Sequence, residues 1–244
     1  MQVIQVYMQN ALRNFNYIIY SEKSKEAIFI DPFNIDVTVP IAKSHNLDIK
    51  YLVNTHYHPD HNRDNSKLLA TTRAKEIILD EGETLELAEG DYIKAIKTPG
   101  HVMDHTCFIV YSNHKAVSVI TGDALFNAGV GNCKNGGNVD IHFESTTNIL
   151  KELPDELIIY PSHDYLLTNL KFAHTVEPAN NEVQQLLKKR EKQNLDNEFI
   201  DTTIGMEKLI NPFFRLDAPD IKERFTGLSS KDIFTAIRKL RDHF

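Results

Sequence analysis

Thr55-His56-Tyr57-His58-Pro59-Asp60-His61 gathers three imidazoles and a carboxylate directly behind the apolar run Tyr51-Leu52-Val53. In an extended segment, alternate residues face the same way, so His56 and His58 can grip one ion while Pro59 turns the chain and lets Asp60 and His61 address a neighbouring point. One cation cannot readily use all four groups. Two ions about 3.5–4 Å apart can, and such pairs suit hydrolysis. Three further apolar runs end in the same kind of residue: Tyr92 to Ile96 before Thr98-Pro99-Gly100-His101, Val117 to Ile120 before Thr121-Gly122-Asp123, and Leu157 to Tyr160 before Pro161-Ser162-His163. A lone strand-end histidine is usually a surface or hydrogen-bonded core residue. Four ligand-bearing strand ends instead demand a fold that brings them to one sheet edge, where functional loops sit on a rigid scaffold.

The series His56-x-His58-x-Asp60-His61, then His101, Asp123 and His163, resembles the metallo-β-lactamase superfamily over essentially residues 1 to 165. Within it, the chain is similar to the hydroxyacylglutathione hydrolases, or glyoxalase II. That narrower likeness rests on His163-Asp164-Tyr165, Thr168 to Ala173, Val176-Glu177-Pro178, Asn211-Pro212-Phe213-Phe214-Arg215 and the ending Ile237 to Phe244. The resemblance implies an α/β fold, an αββα sandwich with two facing sheets and helices outside. It implies a catalytic domain over residues 1–165 and a helical, substrate-binding domain over 166–244.

It also assigns His56, His58 and His101 to one metal and Asp60, His61 and His163 to the other, with Asp123 bridging. Asp60 and Asp123 are the carboxylates expected at the catalytic centre. A carboxylate has two oxygens to share between cations, whereas a neutral imidazole offers one free lone pair. Two divalent ions are expected, with zinc first and iron or manganese also compatible with nitrogen and oxygen ligands. Asp31, ending the run Ile28-Phe29-Ile30, reads either as a partner that orients a ligand histidine or as a turn residue before Pro32.

Two dications lower the pKa of a bridging water to near neutrality, and one can polarise a carbonyl. A thioester is an apt target, because a thiolate with a pKa of about 8.5 leaves with little or no protonation and no separate general acid stands out. The resemblance implies S-2-hydroxyacyl glutathione, with S-D-lactoylglutathione foremost, hydrolysed to a hydroxy acid and the thiol. Tyr165 would then face the carrier peptide, and Arg238 and Arg241 its carboxylates. Two segments depart from the family pattern. His61-Asn62-Arg63-Asp64-Asn65 lacks the usual glycine pair, and Gly129 to Asn138 lacks the usual Lys and aromatic, leaving Lys134 to supply a positive charge from a shifted position.

With 244 residues, 41% of them hydrophobic, the chain can bury a full core and form two modest domains. Its formal net charge of −7 argues against general nucleic-acid or anionic-membrane binding, and against a nuclease with a basic cleft. The start, Met1 to Tyr7, alternates like a strand and lacks the features of a signal peptide. No apolar run is long enough to span a bilayer. Two cysteines, Cys107 and Cys133, are too few for a disulfide framework, so a cytoplasmic location is expected, and the chain is separately expected to act as a monomer.

Strands are expected near Val3–Tyr7, Tyr17–Ser21, Ala27–Ile30, Tyr51–Asn54, Ala74–Leu79, Tyr92–Lys97, Thr106–Tyr111, Val117–Ile120 and Leu157–Tyr160, with none beyond Tyr165. Helices are expected near Val37–His45, Asn65–Thr71, Ser145–Leu153, Glu182–Gln193, Asp220–Phe225 and Lys231–His243. The last carries a Ser229/Asp232 capping pattern and an apolar stripe of Ile233, Ile237 and Leu240 for packing onto the first domain. The rival activity is that of a mononuclear-iron persulfide dioxygenase of the same fold, against which the long helical tail counts. A non-catalytic metal-binding relative would be marked by a missing ligand, and all seven are present.

Overall fold

The computed structural model describes all residues, Met1–Phe244. Five strands form one sheet in the order β1 (Gln2–Tyr7), β2 (Phe15–Tyr20), β3 (Glu26–Ile30), β4 (Asp48–Val53), β5 (Lys75–Glu76). Six form the other, ordered from β11 (Thr202–Thr203) through β10 (Ile158–Pro161), β9 (Lys115–Gly122), β8 (Thr106–Ser112) and β7 (Asp91–Lys97) to β6 (Thr84–Ala88). Pairings β3/β4, β4/β5 and β9/β10 are parallel, and the others are antiparallel.

Strand alternation divides the apolar residues between layers. Tyr17 and Ile19 of β2 turn inward to meet Phe108, Val110 and Ile120 of the second sheet, whereas Ile18 turns outward. That outer face packs against Ile35 and Ala42 of α1 (Ile35–Ser44) and Leu68 of α3 (Asn65–Thr71), which follows the short α2 (Pro59–Asn62). Because β2 is covered on both sides, all six of its residues are buried. On the far side of the second sheet, Cys107, Ile109, Val119 and Ile159 join Phe172, Phe213, Phe214, Ile233, Phe234 and Ile237 in one core. The result is an αββα sandwich, as expected.

The helices on that far side are α4 (Val139–Ser145), continued by a π-turn at Thr146–Leu150, then α5 (Leu166–Val176), α6 (Asn181–Arg190), α7 (Ile204–Ile210), α8 (Pro219–Arg224) and α9 (Ser230–Arg241). Several expectations need correction. The helix placed at Ser145–Leu153 begins at Val139, where Asn138 caps the amides of Asp140 and Ile141. The strand placed at Ala74–Leu79 pairs only at Lys75 and Glu76. A strand does exist beyond Tyr165: β11 extends the second sheet through Thr202 and Thr203. In α9 the buried stripe is Ile233, Phe234 and Ile237, while Leu240 is 42% exposed. Ser229 does cap that helix, accepting from the Asp232 amide. No helix is long and apolar enough to cross a membrane.

Candidate metal centre

Strands β4, β7, β9 and β10 all end on the same side of the sandwich, and the loops after them carry the ligand-type residues. After β4, Pro59 takes the first position of α2, where its missing N–H costs nothing, and the single helical turn swings Asp60 and His61 toward the centre. Asp123 follows Gly122, whose left-handed φ of +53° leaves no room for a side chain: a Cβ there would lie 2.6 Å from Nε2 of His105.

The structure brings His56, His58, Asp60, His61, His101, Asp123 and His163 together. The inward nitrogens of His56, His58 and His101 form one group, with His56 Nε2 3.0 Å and His101 Nε2 3.1 Å from His58 Nδ1. Asp60, His61 and His163 form a second group, with Asp60 Oδ2 3.4 Å from His61 Nε2 and 3.5 Å from His163 Nε2. Asp123 stands between them. Its Oδ2 lies 3.5 Å from His101 Nε2, and its Oδ1 lies 3.3 Å from His163 Nε2 and 3.6 Å from His61 Nε2.

Every imidazole is anchored on its outward side. The Nδ1–H groups of His61, His101 and His163 donate to Asp31 Oδ2, the Asn132 carbonyl and the Leu12 carbonyl at 3.0, 2.6 and 2.8 Å. His56 uses Nδ1 toward Thr55 Oγ1, and His58 uses Nε2 toward the Asn135 carbonyl. Such outward bonds fix each tautomer so that the other nitrogen turns a lone pair to the centre. Lone pairs facing each other at about 3 Å repel unless a cation lies between them. Tetrahedral nitrogen ligands about 2.0–2.1 Å from an ion stand roughly 3.3 Å apart, close to the spacing seen. Buried His61 Nε2 and Asp123 Oδ1 have no hydrogen-bond partner, so these residues fit a metal pair.

Electrostatics point the same way. Burial, aided by His61, pushes the His56 pKa down, and burial outweighs Asp123 in lowering that of His101, which favours the neutral ring that a metal ligand requires. At His61 and His163, burial is outweighed by Asp123 and further hydrogen bonds, so both rings favour a proton. A cation in the second group would replace those protons. Asp31 is the orienting partner and not merely a turn residue. Held at φ +50°, it accepts from Thr55 N, Thr55 Oγ1 and Asn54 Nδ2 as well as His61.

Beside the second group, a cavity of about 190 Å³ is lined by Phe126, Lys134, Tyr165, Arg238, Arg241 and Asp242 among others. Tyr165 stacks on His163 at 4.8 Å and 5°. Arg241 is half-buried and spends Nε and Nη2 on Asn169 Oδ1. Lys134 is exposed, 4.0 Å from Asp242. Arg238 differs from expectation: it is 6% exposed, donates Nη1 to the carbonyls of Val130 and Gly131, and points Nε and Nη2 at Asp242. Its guanidinium fastens the loop and is not free to receive carboxylates.

Sequence reading missed His105, which accepts from the Asp123 amide through Nε2 while Nδ1 meets Thr98 Oγ1. Its place four residues after His101 was the available signal. Asn14, which donates to Asp60, gave none.

Comparison with known proteins addresses the whole chain. The hydroxyacylglutathione hydrolase C-terminus family matches residues 164–244, and the metallo-β-lactamase superfamily matches residues 17–99. A hydroxyacylglutathione hydrolase from Nitrosococcus oceani is 36% identical across 99% of both chains. The chain belongs to the hydroxyacylglutathione hydrolase family. A further hydroxyacylglutathione hydrolase, the cytoplasmic one from Arabidopsis thaliana, is 31% identical across 95% of both chains. Among solved structures, ETHE1 from Myxococcus xanthus superposes with a TM-score of 0.71 at 22% identity, covering 98% of this chain and 91% of that one. That likeness speaks for the metallo-β-lactamase fold.

Proposed function

We propose that the protein hydrolyses S-2-hydroxyacyl glutathione thioesters, S-D-lactoylglutathione foremost, to the hydroxy acid and glutathione. His56, His58 and His101 would hold one divalent ion, Asp60, His61 and His163 a second, and Asp123 would bridge them. Zinc is the ion we expect in both positions. The observation that carries this reading is Asp123, which offers one oxygen to each group of ligands in a chain similar to hydroxyacylglutathione hydrolases along its full length.

Once bound, two dications supply a nucleophile from water at neutral pH and an electrophile for the thioester carbonyl. The chain's own residues do the rest. Asp31, Thr55 and the carbonyls of Leu12, Asn132 and Asn135 hold the imidazoles so that nothing reorganises as charge develops. Tyr165 lies against His163 with its phenol pKa raised by burial and by Asp123, so it stays a hydrogen-bond donor toward the cavity. Arg241 has an unspent Nη1, and Lys134 is exposed at the rim, so both can meet carrier carboxylates. The leaving thiolate departs without a general acid, in keeping with a cavity whose one carboxylate, Asp242, is paired with Arg238. We place the enzyme in the cytoplasm, on the grounds of two unpaired cysteines and the named location of the Arabidopsis relative.

Elemental analysis and S-D-lactoylglutathione hydrolysis on the same loaded sample test this. Two ions per chain with thioester cleavage is the expected result. One iron per chain with oxygen consumption on a persulfide would overturn it.

A further inference from the structure

The two proposed metal positions differ in what lies behind them. His101 and His58 of the first are anchored on the carbonyls of Asn132 and Asn135, both in the loop after Asp123. At the second, His163 is anchored on the Leu12 carbonyl and Asp60 receives a hydrogen bond from Asn14 Nδ2 at 3.0 Å, both from the turn joining β1 to β2. Two separate loops therefore back the two positions.

We propose that Asn14 is a positioning residue that sets how tightly the Asp60, His61 and His163 position holds its ion, with little effect on the other position. The inference rests on the two-ion reading above. Asn14 is 1% exposed and has little freedom of its own. Asn10 donates Nδ2 to Asn14 Oδ1 at 2.7 Å and accepts from the Asn14 amide at 2.9 Å. The Asn14 backbone also pairs with His163 in an isolated bridge. The amide thus held donates to Oδ2 of Asp60, the same oxygen that faces His61 and His163. Without that bond the Asp60 side chain, 22% exposed, is free to swing toward solvent. Partners that orient metal ligands typically contribute 10–100-fold in affinity. Asn10 acts one step further out.

The test is stepwise ion release from zinc-loaded protein by a chromogenic chelator of graded concentration, with ions per chain counted at each step. The parent should release its ions in two phases, and Asp60→Asn should identify the phase belonging to the second position. In Asn14→Ala that phase should move about 10–100-fold toward weaker binding while the other stays in place. Asn14→Ser, which keeps a donor, should move it less, and Asn10→Ala should shift the same phase to a smaller extent. A purely structural role predicts a lower melting temperature of the metal-free variant with an unchanged release curve, and that outcome overturns the proposal. Equal movement of both phases does so as well. A parent that carries a single ion overturns the two-ion reading and the proposal together, whereas two parental phases with an unmoved Asn14→Ala curve overturn the proposal alone.

Discussion

Glu207 is a buried carboxyl whose titration should be visible in the stability of the whole protein. It sits in α7 with no exposed surface, accepting from Thr202 Oγ1 at 2.6 Å and from the Ala128 amide and Asn211 Nδ2 at 2.8 Å each. Burial outweighs these three donors and lifts its pKa from an ordinary 4.5 to about 7. Below pH 4.5 the proton is bound in both folded and unfolded chains; between 4.5 and about 7 only the folded chain keeps it, so stability falls as pH rises. Above that the loss is complete. At 1.36 kcal/mol per pKa unit it amounts to about 3 kcal/mol. Glu207→Gln removes the titration while keeping the shape and most of the bonds. For a chain of this size, 1 kcal/mol moves the melting temperature by about 2–4 °C. The melting difference between variant and parent should therefore grow by about 6–12 °C in the variant's favour from pH 4.5 to pH 8, at fixed zinc. Taking the difference cancels the pH dependence of metal binding, which both proteins share. A difference that stays constant across this range would refute the titration argument.

Two further outcomes are expected. Asp123→Ala, which removes the carboxylate facing both ligand groups, should lose far more thioester hydrolysis than Asp60→Asn and should fail to retain two ions; retention of both with near-normal turnover would remove it from the bridging role. Arg241→Ala should raise KM for S-D-lactoylglutathione with kcat nearly intact and with an effect that shrinks in high salt. Arg238→Ala should instead lower the melting temperature and kcat together, since it leaves the carbonyls of Val130 and Gly131 without their donor.

The sequence made the centre legible because its signals are local. His56 to His61 lie in one short segment, and His101, Asp123 and His163 each follow an apolar run that strand alternation explains. The tail was read less well. Helix α5 buries Leu166, Asn169, Leu170, Phe172, Ala173 and Val176 on one face, but the polar Asn169 within that face and the apolar Leu167 outside it blur the period. Strand β6 is an edge strand with little burial, and β11 is only two residues long. An arginine beside an apolar stripe reads as a surface residue; Arg238 is buried only because carbonyls more than a hundred positions away come within reach of it.

Those distant carbonyls belong to a pattern. Along the loop after Asp123, the Asn127 carbonyl accepts from Asn169, the Ala128 amide donates to Glu207, the Gly129 carbonyl accepts from Asn211, and the carbonyls of Val130 and Gly131 accept from Arg238. Five consecutive residues are thus satisfied by four side chains from the tail. Asn127, Ala128 and Val130 are buried, so without those side chains their polar groups would be stranded away from water, at about 1–3 kcal/mol each. Ala128 is further held at φ +57°, a conformation a non-glycine residue keeps only when its surroundings impose it. The same loop carries Phe126, which packs on His163 and Tyr165, and leads into Asn132, whose carbonyl orients His101. The helical tail therefore shapes the metal centre through the backbone of this loop, and truncating the chain after Tyr165 would take away the partners that hold the loop in place.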